Sequence, residues 1–291
     1  WPSQRSGQVP EPAGIWMSPK VPEGGLSGVH LNDWQKVWQT DDYEPDPLNA
    51  AIYGVGAMKS FDGHLYWGTM HVHGKAALVF MNQYNMSPIE FGQTYLNSWR
   101  ATAIFRGSNF GEDKQIELLY GNSSMPVYVQ TGDSSGYWTR RRNEMGGISG
   151  KYGKAGFGNE YNNYTWTMAV YDGQLFVGTM DHSYLWLDWN NLQRGYISGE
   201  YYTIPLPDIP WYWTPSEEEY GADLWRFPSS DKEAVRVTRS GLGNYTNYGF
   251  RSIVSDGQTG LYLGTANPAS IHRDRYGNMK GGWELHRVFS R

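Results

Sequence analysis

The sequence predicts an all-β chain folded as a single β-propeller of about five four-stranded blades, with four or six also allowed by uneven repeat spacing. Three observations predict it. One hairpin pattern is written several times, strand-like segments follow each copy, and 36 Gly, 14 Trp and 22 Tyr suit short strands, tight turns and aromatic packing rather than helices.

The clearest copy spans residues 166–181, where Tyr171-Asp172-Gly173 separates two alternating apolar runs and the second closes on Gly178-Thr179-Met180-Asp181. Alternation marks half-buried strands, and an Asp-Gly pair supplies the positive φ of a tight hairpin. Residues 56–71 repeat it through Phe61-Asp62-Gly63 and Gly68-Thr69-Met70-His71. Residues 250–267 repeat it through Ser255-Asp256-Gly257, two extra residues and Gly264-Thr265-Ala266-Asn267. A degraded fourth copy is read at 99–105 and 116–122. Repeats of about 40 to 50 residues, each a small antiparallel sheet, point to a propeller.

In chain order, residues 1–12 carry three prolines and read as an N-terminal arm over the surface or onto a partner. The propeller takes 13–291, with insertions near 81–98 and 190–220. Strands near 15–17 and 34–38 are expected to complete the ring, because joining the chain ends removes exposed sheet edges. Residues 40–48 hold four carboxylates and two prolines and read as a solvated acidic turn, a bound cation being the sharper alternative. Met58 and Met168, mid-strand, are assigned to the core. Residues 221–227 and 281–288 read as third strands, and 34–38, 138–140 and 234–237 as fourth strands. A Gly-Asn loop precedes the first strand twice, as Gly156-Phe157-Gly158-Asn159 and Gly241-Leu242-Gly243-Asn244.

Over about residues 50–290 these repeats resemble a family of uncharacterised bacterial and archaeal propeller proteins built from units of the form Tyr-Asp-Gly-x-Leu-Tyr-Val-Gly-Thr … Gly-x-Glu-Leu-Trp-Arg. The resemblance implies architecture and leaves activity open, since such folds host many functions.

A net charge of −5 gives no electrostatic footprint for nucleic acid. The one basic cluster, Arg140-Arg141-Arg142, reads as a solvated strand edge. No apolar run is long enough to span a bilayer. Cysteine is absent, which removes disulfides, thiolate metal sites and a cysteine nucleophile. The start at Trp1 suggests a processed, exported chain, periplasmic or extracellular, or a fragment, and the sequons at Asn122, Asn163 and Asn244 would matter only in a glycosylating secretory pathway.

If each first strand runs from the Gly-Asn loop to the Asp-Gly turn, the second strand returns to the loop. The residues after Gly-Thr-x then gather at one end: His71, Asp181 and Asn267, with His73, His182, Asn159, Asn162, Asn244, Asn247 and Arg251. This is the expected ligand-binding end. His71 and His73, two apart on a strand, would face one way and suit a transition metal with Asp181 or His182. Asp181 with loop carbonyls would suit calcium. The plainer reading ties these amides and carboxylates into Asx turns. No cofactor is expected, with calcium or a transition metal as the alternatives.

No nucleophile elbow, phosphate loop, dinucleotide fingerprint or His-Glu-x-x-His helix occurs, so no catalytic residue is assigned. The turn aspartates Asp62, Asp172 and Asp256 belong to their hairpins. Trp211-Tyr212-Trp213, inside a proline-rich insertion, is the expected partner interface, since flat amphipathic side chains bury large area at low entropic cost. The expected role is an exported, non-enzymatic binding or assembly protein, a structural subunit with a protein partner. The alternative is a carbohydrate-active enzyme or lectin holding glycans at the polar end.

Overall fold

A computed structural model of the chain describes residues 11–111, 113–183, 220–257, 259–267 and 281–289. It is mostly β, with antiparallel sheets. Strands β1 (Gly14–Met17) and β2 (Gln35–Gln39) pair with one another. After helix α1 (Pro47–Ile52) come β3 (Gly54–Phe61) and β4 (His64–Met70), then α2 (His73–Gln83) and α3 (Phe91–Ser98), then β5 (Ile104–Ser108) and β6 (Gln115–Tyr120). A hairpin of β7 (Ser124–Gly132) and β8 (Ser135–Arg142) follows. The remainder is β9 (Asn162–Tyr171), β10 (Gln174–Asp181), β11 (Leu224–Phe227), β12 (Val235–Thr238), β13 (Gly249–Ser255), β14 (Leu261–Ala266) and β15 (Leu285–Val288).

Among the described residues these strands make three up-and-down meanders: β3-β4-β5-β6, β9-β10-β11-β12 and β13-β14-β15. Adjacent meanders touch through one strand pair each, Met70↔Tyr164 and Met180↔Gly249. Both Asp-Gly hairpins of the first two meanders adopt the turn the sequence asks for, with Asp62 at φ 47°, Gly63 at 76°, Asp172 at 49° and Gly173 at 66°. The longer third turn is held by the Asp256 carboxylate, which accepts from the Thr259 amide at 2.7 Å.

Alternation decides which layer each strand residue joins. Tyr66 and Ile104 of the first meander meet Leu175, Val177 and Phe227 of the second in one apolar layer. The other face of the second, with Phe176 and Leu224, meets Phe250, Ile253 and Leu263 of the third. The far side of the first, with Trp67 and Phe105, is covered by Ile15, Val37 and Trp38 of the β1–β2 hairpin. The order is therefore hairpin, first, second and third meander, stacked face to face. Glycines permit the close approach: a Cβ at Gly68 would strike Thr165 of the next meander, and one at Gly178 would lie 2.6 Å from Phe250 Cβ.

Several expectations are corrected. The supposed fourth copy at 99–105 and 116–122 supplies β5 and β6, the third and fourth strands of the first meander, because β5 pairs with β4 through Leu65↔Gly107. Segments 34–38 and 138–140 are not fourth strands of meanders, since β2 pairs with β1 and β8 with β7. Among the described strands β15 pairs only with β14, so the N-terminal strands do not join the C-terminal sheet. The insertion at 81–98 is largely helical. Met168 is buried, but Met58 is half exposed because the β1–β2 hairpin covers Trp67, Phe105 and Leu118 and not Met58.

The 40–48 segment is a solvated acidic turn only in part, at exposed Asp42. Glu44 and Asp46 are buried, and Glu44 takes a two-pronged pair with buried Arg100 at 2.7 and 2.9 Å. Asp46 accepts from the Leu48 and Asn49 amides and from the Tyr128 amide on β7. Burial works against the Arg100 charge, and the Glu44 carboxylate more than offsets it. These acids cap α1 and bind it to β7, so their charge is spent on the fold. Residues 1–10, where most of the N-terminal arm falls, and Trp211, Tyr212 and Trp213 lie outside the described residues.

Candidate functional site

The two Gly-Asn loops fold alike. Gly156, Phe157 and Gly158 have φ of 67°, 57° and 83°, and Gly241, Leu242 and Gly243 have 58°, 62° and 87°. A side chain in the left-handed region costs about 1–2 kcal/mol. At Phe157 burial offsets that cost, its ring stacking on Trp225 at 4.8 Å. The turn aims backbone groups at the neighbouring meander. The Gly156 amide donates to Thr102 O at 2.6 Å while the Thr102 amide donates to Asn162 O at 2.7 Å; Gly241 and Asn247 make the same clasp on Ala222, at 3.1 and 2.8 Å. Each loop thus grips the residue two before the third strand of the preceding meander.

The repeated Gly-Thr has an equally definite task. Thr69, Thr179 and Thr265 each donate their amide to the carbonyl of the residue before the third strand, Ala103, Asp223 and Glu284, at 3.0 Å in every case. Each threonine hydroxyl accepts from the amide of that same residue, at 2.8, 3.0 and 2.8 Å. Second and third strands are locked where their ladder begins. The loop asparagines reach the same point: Asn162 Nδ2 donates to Asp223 at 2.8 Å, and Asn247 Nδ2 donates to Glu284 at 2.7 Å.

The predicted end residues lie around these locks. Asp181 is fully buried; its carboxylate accepts from Asn159 Nδ2 at 2.7 Å and from the Ser183 amide at 2.6 Å. Asn267, in the matching place of the third meander, donates to Asn247 Oδ1 at 2.8 Å and Thr246 Oγ1 at 2.9 Å. His71 is buried in the first meander, with Nε2 3.1 Å from Asn49 Oδ1. Asn244 donates to Glu284 at 2.6 Å. His182 Nδ1 contacts Asn163 Oδ1. Each of Asp181, Asn267 and His71 therefore bonds a residue that precedes the first strand of its own meander.

Two expectations change. His73 does not share a strand with His71, because β4 ends at Met70 and His73 opens α2, so strand alternation cannot align the two rings. Arg251 is an exposed residue of β13, its guanidinium 5.2 Å over the Trp166 ring. The Asn163 sequon is buried, and its amide donates to Arg100 O, which leaves no room for a glycan on the folded chain.

Burial dominates the electrostatics. It lifts the Asp181 carboxyl, with help from Asp223, to about 7, and lifts Asp223 to about 6. It pushes His182 down to about 4 and His71 well below the usual imidazole range. Among the described residues no three His, Asp or Glu side chains converge as a metal site. Two open depressions, of about 730 and 490 Å³, are lined by residues including Lys20 and Asp33, and Gln93 and Trp138; neither touches the locks.

Sequence reasoning passed over Asp223, Glu284 and the three threonines as members of this network. The available clue was an acid in register before both Leu-x-Arg third strands, at the same remove as the Gly-Thr of the second. No protein-family model, curated protein or solved structure matches the chain.

Proposed function

We propose that the three meanders are blades of one β-propeller, and that the chain is an exported, non-catalytic assembly protein, a structural subunit that binds a protein partner. The observation that carries this reading is how the polar end is used. Its carboxylates, amides and imidazoles would have to face a glycan or a reacting bond, yet Asp181, Asp223, Asn159, Asn162, Asn247 and His71 are buried, and Asn267 and Glu284 are half-buried and held by loop asparagines. A glycosidase needs two carboxyls about 5–9 Å apart with sugar between them. Asp181 and Asp223 interact, but both are fully buried. Large exposed apolar side chains gather on residues 16–34 and on 283–289.

Two measurements test the reading together. Native extract is resolved by size-exclusion chromatography with detection of this chain, and purified wild type and Asp181→Asn are assayed on a panel of chromogenic glycosides. The chain is expected to elute well above its own 33.1 kDa with a stoichiometric companion, and to turn over no glycoside. Hydrolysis that disappears in Asp181→Asn overturns the reading.

A further inference from the structure

Among the described residues the third meander has three strands, where the first and second have four. In the first, β6 lies outside β5; in the second, β12 lies outside β11. Both outer strands join in one register, with a bulge after the first pair: Ile104↔Tyr120 then Phe105↔Leu118, and Leu224↔Thr238 then Trp225↔Arg236. The locks align β15 with β5 and β11, placing Leu285 with Ile104 and Leu224, and Arg287 with Arg106 and Arg226. Among the described residues nothing pairs with the outer edge of β15.

Burial differs as well, because the second meander covers Ile104 and the third covers Leu224, while no described meander covers Leu285. Ile104 and Leu224 are 0% exposed, whereas Leu285 is 64% exposed and its neighbours Trp283 and Phe289 are 72% and 63% exposed. The Glu284–Thr265 lock fixes the ladder, so alternation points the amides of Leu285 and Arg287 away from β14 toward the open edge. An edge of this kind is a template for another strand.

Charge narrows the occupant. Opposite Arg106 the fourth strand supplies Glu117, in contact with the guanidinium. Residues 285–289 contain His286 and Arg287 and no carboxylate, so β15 of a second copy would offer Arg287 no acid within its own strand. We propose that the edge of β15 accepts an extended strand of a partner polypeptide, antiparallel to β15 and carrying a carboxylate opposite Arg287, as the fourth strand of the third meander. This deepens the assembly reading and rests on it.

The probe is a synthetic peptide of residues 113–120, which carries β6 and Glu117, added to the full chain and followed by amide hydrogen exchange. The Leu285 and Arg287 amides should exchange fast in the free chain and slow as peptide is added. Arg287→Glu, with an unchanged melting temperature, should weaken peptide binding about fivefold to tenfold, and a Glu117→Lys peptide should recover most of that loss. The inference falls if these amides are already protected without peptide, if protection instead follows protein concentration as a second copy would require, or if Arg287→Glu changes nothing. A native complex that survives both Arg287→Glu and an edge-blocking Leu285→Pro sinks the strand and spares the assembly reading; absence of any complex sinks the latter.

Discussion

The second and third meanders are built from the same phrases and meet different neighbours. Both open with a Gly-x-Gly-Asn loop, turn at Asp-Gly, close on Gly-Thr and lock an acid ahead of the third strand. Among the described residues the second is covered on both faces and the third on one. Local sequence sets the lock; the neighbour sets what each side chain is worth. Leu224 and Leu285 show it most sharply, since they hold equivalent places at 0% and 64% exposure. Leu224→Ala should cost about 2–5 kcal/mol, the range for emptying a packed site. Leu285→Ala should stay within about 0.5 kcal/mol, as exposed substitutions do. Denaturant melts of the two variants decide the matter, and equal losses would mean that Leu285 is covered in the free chain.

Glycine gives the next contrast. Gly178 and Gly264 close the second strands of the two meanders. A Cβ at Gly178 would lie 2.6 Å from Phe250 Cβ and 3.0 Å from Ile253 Cδ1, both on the third meander, whereas at Gly264 the nearest atom is Ser252 Cβ at 3.5 Å, within its own hairpin. Overpacking of the first kind costs about 1–3 kcal/mol. The second is ordinary contact, and replacing a strand glycine reduces the entropy lost on folding by roughly 0.5 kcal/mol. Gly178→Ala should therefore melt earlier than wild type and Gly264→Ala no earlier. A Gly264→Ala variant as damaged as Gly178→Ala would refute the one-sided cover.

How much of this was legible follows from the same contrast. The Asp-Gly hairpins could be read directly, because their φ angles are demanded by two adjacent residues. Strand pairing across the units could not: residues 99–105 look like a first strand, and only the partner β4 makes part of them a third. The acids of 40–48 looked solvated because their partners, Arg100 and the Tyr128 amide, lie more than fifty residues away in sequence. At the polar end, repeat position put Asp181 and Asn267 beside the Gly-Asn loops, and the fold bonds them to Asn159 and to Asn247. It gave no warning that Asp181 is closed to solvent while Asn267 stays half-buried. Periodicity reports where a residue stands, while its chemistry depends on what covers it.

The subtlest contrast is titration, because the second meander has Asp181 where the third has Asn267. Between about pH 4 and pH 7 the folded chain keeps on Asp181 a proton that the unfolded chain releases near its ordinary value of about 3.9, so this contribution is largest at low pH and is lost as pH rises through 7. His71 and His182 act the other way. Held neutral by burial, they refuse protons that the unfolded chain takes up below about 6.5, and their contribution is lost as pH falls. From about pH 7.5 to pH 6 each effect amounts to roughly 1–2 kcal/mol, and they oppose one another. Wild-type stability should therefore stay nearly level across that window. Asp181→Asn removes the carboxyl and leaves the histidines, so it should lose about 1 kcal/mol on acidification over the same range. Equilibrium urea titrations at the two pH values measure the difference, and parallel behaviour of wild type and Asp181→Asn would show that Asp181 is already ionised in the fold.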